Sequence, residues 1–142
     1  MDSQFTIVIA DDHPLFRGAL YQAVHMAIDE ARLLEADSID SLTHLLAEHP
    51  EVDLLLLDLK MPGANGFEGL AYLRGQYPDL PIVVVSASED AAIIQQVLRL
   101  GALGFIPKSV PMKELVNALN TVIGGDNWVP EGISLHPESE DG

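Results

Sequence analysis

The chain reads as an α/β domain, a five-stranded doubly wound parallel sheet with helices on both faces. Three observations predict it. Short β-branched or leucine-rich runs alternate five times with longer amphipathic segments. The third run, Leu54 to Leu57, is apolar without a break, as a strand covered on both faces is. The connecting segments are long enough for right-handed helical crossovers, which place helices on both sides of a parallel sheet.

The elements follow in order. Thr6 to Ala10 is a first strand, β-branched and apolar. A helix starts near Pro14, which suits a first turn where its missing N–H is unneeded, and Asp12 is placed to cap it. Phe16, Leu20, Ala23, Val24 and Ala27 recur on its inner face. Leu33 to Ala36 is the second strand. Asp37 or Ser38 caps a second helix with Ile39, Leu42 and Leu46 on one face, ending near Pro50. After the third strand, Lys60-Met61-Pro62-Gly63-Ala64-Asn65-Gly66 has turn chemistry, and a helix covers Phe67 to Gln76. Ile82 to Val85 is the fourth strand, Glu89 to Leu100 the fourth helix, and Gly104 to Ile106 a short fifth strand. The last helix covers Met112 to Ile123, with Leu115, Leu119, Val122 and Ile123 inward, and stops at Gly124-Gly125. A domain over residues 1–125 is thus expected, with 126–142 a tail or the start of a linker. The acid-rich stretch from Glu131 to Gly142 lacks the apolar surface to order itself.

Composition narrows the function. With 48 % hydrophobic and 20 % charged residues, 142 residues suffice for one sizeable core. Formal net charge is −15, from 22 acidic and 7 scattered basic residues, which argues against nucleic-acid contact by this chain. There is no cysteine, so disulfides and thiolate metal sites are excluded and a reducing cytoplasm is the simplest setting. No apolar run approaches the ~18 residues of a membrane span, and no basic stretch precedes the first strand as in a secretory signal. The five histidines, His13, His25, His44, His49 and His136, lack clustered ligand spacing, and His13 is expected to face solvent at the helix start.

Ligands of such sheets bind beyond the carboxyl ends of the strands. Asp11-Asp12 follow the first strand, Asp58 the third, Ser86 the fourth, and Lys108 stands two residues past Ile106. A lone aspartate after a strand is more often a cap, and a lone lysine more often solvated. Together they bring carboxylates, a hydroxyl and an ammonium to one sheet edge. Carboxylates crowded there repel one another, and Mg²⁺ resolves the conflict because it takes hard oxygen ligands. Asp12, Asp58 and the Lys60 carbonyl are the expected direct ligands, with Asp11 acting through water. Asp58 then has the environment of a carboxylate nucleophile that forms an aspartyl-phosphate, with Lys108 and Ser86 at the phosphoryl oxygens.

These residues resemble the receiver domains of bacterial two-component response regulators. The resemblance covers roughly Phe5 to Gly124. It rests on Asp11-Asp12, on Asp58 followed by Met61-Pro62-Gly63 and Gly66, on Ser86-Ala87, and on Lys108. It implies a flavodoxin-like sheet of order 2-1-3-4-5. It also implies phosphoryl transfer from a histidine kinase to Asp58, with Ser86, Ala87 and Lys108 holding the phosphoryl group. The family's switch pair falls on Ser86 and Phe105, the aromatic ring turning inward on phosphorylation. The stretches Ile9-Ala10-Asp11-Asp12-His13-Pro14-Leu15-Phe16-Arg17 and Gly124-Gly125-Asp126-Asn127-Trp128-Val129-Pro130 are most similar to the LuxR-type subfamily. There a helix-turn-helix DNA-binding domain normally follows, so the chain is either a truncated transcription regulator, the favoured reading, or a stand-alone receiver. Surplus apolar residues on the fourth helix, Ile93 and Leu100, point to a signalling or dimer surface on the fourth helix, fifth strand and fifth helix. Helices one and five are the alternative. Two departures stand out. Ser109 follows Lys108 where many receivers have proline, which leaves the isomer of that peptide bond open. Lys60 stands two residues after Asp58, where its ammonium can border the phosphate.

The main rival is a phosphohydrolase of the haloacid-dehalogenase kind, but its second aspartate would fall at position 60, which is lysine. A flavin or nucleotide binder would need a glycine- or hydroxyl-rich loop after the first strand, and Asp11-Asp12-His13-Pro14 has the wrong charge and shape. A degenerate receiver is disfavoured because every chemical position is filled. The expected role is a switch that modifies itself, not an enzyme turning over an external substrate.

Overall fold

The computed structural model describes residues 5–133. Strands and helices alternate as β1 (Phe5–Ala10), α1 (Pro14–Ala27), β2 (Ala31–Ala36), α2 (Ile39–Glu48), β3 (Leu54–Asp58), α3 (Phe67–Gln76), β4 (Ile82–Ser86), α4 (Ala91–Arg99), β5 (Gly104–Pro107) and α5 (Met112–Ile123). The sheet order is β2-β1-β3-β4-β5, all parallel. This is the predicted doubly wound fold and strand order.

Alternation along each central strand divides the core. Leu55 and Leu57 of β3 join Leu42 and Leu46 of α2, Leu70 and Leu73 of α3, and Ile94 and Val97 of α4. Leu54 and Leu56 join Leu20, Ala23 and Val24 of α1 and Leu115, Leu119 and Val122 of α5 on the other face. Each fully buried aliphatic side chain stabilises the fold by roughly 1.5–3 kcal/mol over an exposed one. Because both faces are covered, β3 carries no polar residue until Asp58, its last.

Several boundaries differ from the sequence reading. Asp12 does not cap α1. His13 holds the N-cap position without a side-chain bond, and the Asp11 carboxylate accepts the His13 N–H at 2.7 Å instead. Ser38 caps α2 through a reciprocal pair with Ser41, each Oγ accepting the other residue's backbone N–H. Helix α4 starts two residues later than expected, because the Asp90 side chain caps it by accepting the Ala92 N–H at 2.9 Å. Ile93 and Leu100, read as surplus on that helix, are half-buried against the core, so the spare apolar surface is smaller than expected.

The segment after α5 folds back along the open edge of β5. The Trp128 carbonyl accepts the Phe105 N–H at 3.1 Å, and Asn127 Nδ2 donates to the Leu103 carbonyl at 2.7 Å. A Cβ on Gly104 would lie 2.6 Å from the Trp128 carbonyl oxygen, so only glycine admits this approach. Trp128 packs on one face of the sheet and Val129 and Ile133 on the other. Trp128, Val129 and Ile133, in the stretch assigned to a tail or linker by sequence, therefore pack on the domain. The remainder of the acid-rich stretch lies outside the described residues. No described helix is long and apolar enough to cross a membrane.

Candidate functional site

The carboxyl ends of β1, β3 and β5 deliver the site. Asp11 follows β1 directly. Its backbone N–H donates to the Ala36 carbonyl at 3.0 Å, and its carbonyl accepts from Arg17 Nη1 at 3.0 Å. The loop is thereby fixed, and the Asp11 side chain is fully buried. Asp58, paired in register with Val85 of β4, is 1 % exposed. Its Oδ1 accepts the Lys60 N–H at 3.0 Å, a short turn that directs Oδ2 toward the pocket. The following loop needs left-handed backbone at Gly63, Asn65 and Gly66, which explains the glycines there. Lys108 is placed by its backbone N–H donating to the Ser86 carbonyl at 2.7 Å.

Lys108 Nζ lies 2.9 Å from Asp11 Oδ2 and 3.2 Å from Asp58 Oδ2. It sits 5.0 Å from the centre of the Phe16 ring, a cation–π distance. The Asp11 contact is Coulombic only: it lacks hydrogen-bond geometry, and Asp11 Oδ2 and Asp12 Oδ1 are buried acceptors without a hydrogen bond. Three carboxylates face one ammonium here, leaving two formal negative charges. Charge count and orphaned oxygens together fit a divalent cation held by hard donors.

The structure thus brings together Asp11, Asp12, Asp58 and Lys108. Ser86 is 2 % exposed at the end of β4, and its Oγ accepts the Ser88 N–H at 3.1 Å. Ala87 lines a shallow apolar hollow with His13, Phe16 and Lys108. Phe105 is fully buried, so its ring already occupies the inward position. The Lys60 side chain is exposed and borders a separate cavity of 580 Å³, lined also by Met61, Phe67, Ser86 and Ile93. No described peptide bond is cis, so Lys108–Ser109 is trans.

Sequence reasoning missed His13. Its ring is 59 % exposed, yet Nδ1 turns inward to 3.1 Å from Asp11 Oδ1, 3.2 Å from Asp12 Oδ1 and 3.4 Å from Asp58 Oδ2. The available signal was adjacency. A residue immediately after two site aspartates, with its own N–H bound to one of them, has little choice of direction.

Comparison with known proteins identifies the family. The family model described as the response regulator receiver domain matches residues 7–120. A glycerol metabolism activator of Pseudomonas putida is 39 % identical over 129 residues, covering 91 % of this chain and 58 % of that protein. The nitrate/nitrite response regulator protein NarL of Escherichia coli K12 is 36 % identical, with 91 % and 59 % covered. The chain therefore spans less than two-thirds of these relatives' length. The isolated receiver of RcsB from Salmonella enterica serovar Typhimurium, solved with a beryllofluoride phosphomimetic, superposes with a TM-score of 0.81 at 26 % identity, covering 91 % of this chain and 95 % of that one.

Proposed function

We propose, from the premise that this chain belongs to the response regulator receiver domain family, that Asp58 is its phosphoacceptor. The observation that carries the reading is the Asp58 carboxylate. It is almost fully buried, bound at one oxygen by the Lys60 N–H, and open at the other toward Lys108 and the Asp11-Asp12 pair. The donor is a phosphohistidine of a partner kinase. Its P–N bond breaks as an Asp58 O–P bond forms, and the leaving imidazole takes up a proton.

Asp12, Asp58 and the Lys60 carbonyl would hold Mg²⁺ directly, with Asp11 acting through water. An ion bound there would supply charge neutralisation at the phosphoryl oxygens. Lys108 adds a point charge at the same oxygens, and its aliphatic stem is steadied against Phe16. Ser86 and Ala87 complete the phosphoryl site from the end of β4. Ser86 Oγ accepts the Ser88 N–H, which leaves its own O–H free to donate to a phosphoryl oxygen. Phe105, fully buried on β5, is the switch partner, and its buried pose is the one expected of the activated form. The output is control of transcription in the cytoplasm through a DNA-binding domain of the kind the LuxR-type relatives imply, with dimerisation on activation. The chain catalyses its own modification and turns over no external substrate as its main role.

Intact mass after incubation with Mg²⁺ and acetyl phosphate tests this. Wild type should gain one phosphoryl group, and Asp58→Ala none. Chelation by EDTA before the donor is added should abolish the gain. An equal gain in Asp58→Ala would remove the assignment.

A further inference from the structure

The His13 ring nitrogen has more polar neighbours in the pocket than one hydrogen bond can serve. Nδ1 carries either one N–H or one lone pair. It lies within 3.4 Å of three carboxylate oxygens, from Asp11, Asp12 and Asp58, and also 3.1 Å from Lys108 Nζ. As a donor it satisfies one oxygen and points a proton at an ammonium. As an acceptor it takes a Lys108 N–H but presents its lone pair to three anions. Either state makes one hydrogen bond and leaves the other carboxylate oxygens facing the ring nitrogen.

The distances fit another arrangement. Ligands ~2.0–2.1 Å from one ion stand about 3.0 Å apart when adjacent at right angles and roughly 3.3 Å apart in a tetrahedron. The three His13 contacts are 3.1, 3.2 and 3.4 Å, within the range of such edges. All four side chains place a ligand atom within 4.8 Å of one another. In the same pocket Asp11 Oδ2 and Asp12 Oδ1 are buried without a hydrogen bond, Asp11 Oδ2 having only the Coulombic contact with Lys108.

We propose that His13 Nδ1 is a protein ligand in this pocket. It strengthens the preference for divalent transition ions over Mg²⁺ beyond what oxygen donors alone give. Imidazole adds little for Mg²⁺, which seeks hard oxygen and gives up its waters reluctantly. It suits the later first-row ions, whose affinity rises along the Irving–Williams order. The inference rests on the pocket holding a divalent cation, as argued for the phosphoacceptor site.

The test is calorimetric titration of the full chain with Mg²⁺ and with Ni²⁺, for wild type and His13→Ala, each checked for native folding by circular dichroism. His13→Ala should weaken Ni²⁺ binding by about tenfold or more, while Mg²⁺ affinity changes by less than about twofold. Mn²⁺-loaded wild type should show nitrogen modulation in electron spin-echo spectra, lost in His13→Ala. An unchanged Ni²⁺ to Mg²⁺ ratio, or no nitrogen coupling in wild type, overturns His13 as a ligand while leaving the Mg²⁺ site intact. Failure of wild type to bind either ion would overturn the cation pocket itself, and the inference with it.

Discussion

At the scale of single residues, the site is held in electrostatic tension. Asp11 and Asp58 are buried beside each other, and Lys108 is the ammonium they share. Removing a partner from such a cluster differs in sign according to which one goes. Asp58→Asn keeps the shape and removes one negative charge. In cation-free buffer it should raise stability by about 1 kcal/mol, roughly 3–5 °C in melting temperature. Lys108→Met should lower the melting temperature in the same buffer, and added Mg²⁺ should restore more of the loss than it adds to wild type. Thermal unfolding with and without Mg²⁺ reads both. A lower melting temperature for Asp58→Asn would contradict the charge balance described. The acids and the lysine were legible in the sequence because strand ends converge on one edge. His13 was not, because its direction depends on the Asp11 side chain capturing its N–H, a contact that residue type alone does not reveal.

At the scale of elements, periodicity located every strand and helix, and the errors fell at ends. Caps decided those ends, and caps depend on which of two neighbouring polar residues reaches back. Ser38 rather than Asp37 takes that role in α2, and Asp90 delays α4. The larger miss was the segment after α5. Asp126-Asn127-Trp128-Val129-Pro130 has the composition of a linker, and its docking becomes visible only once Gly104 opens space for a carbonyl. Gly104→Ala places a methyl 2.6 Å from that oxygen, so either the strap or the strand must shift. We expect a loss of about 1–3 kcal/mol. A red shift in the emission of Trp128, the chain's single tryptophan, should accompany it. Unchanged emission would mean the carbonyl contact does not hold the segment in place.

At the scale of the whole molecule, an acidic surface and a small residual apolar patch on α4 weaken the case for self-association of the unmodified chain. Its net charge of −15 opposes close approach of two copies at low salt. Light scattering should therefore find a monomer without a phosphoryl mimic and a dimer with one. A monomer in both conditions at high concentration would end the dimer reading. The sheet itself has a further way to recruit a second copy, and the Trp128 strap bears on it. An unpaired edge strand is a template on which foreign backbone can polymerise. On β5 the outward N–H of Phe105 is such an invitation, and the Trp128 carbonyl answers it from within the same chain. The strap thus works as an intramolecular quarantine. Chains shortened to Gly125 should be prone to strand-mediated clumping, even with every residue of the phosphoacceptor pocket in place.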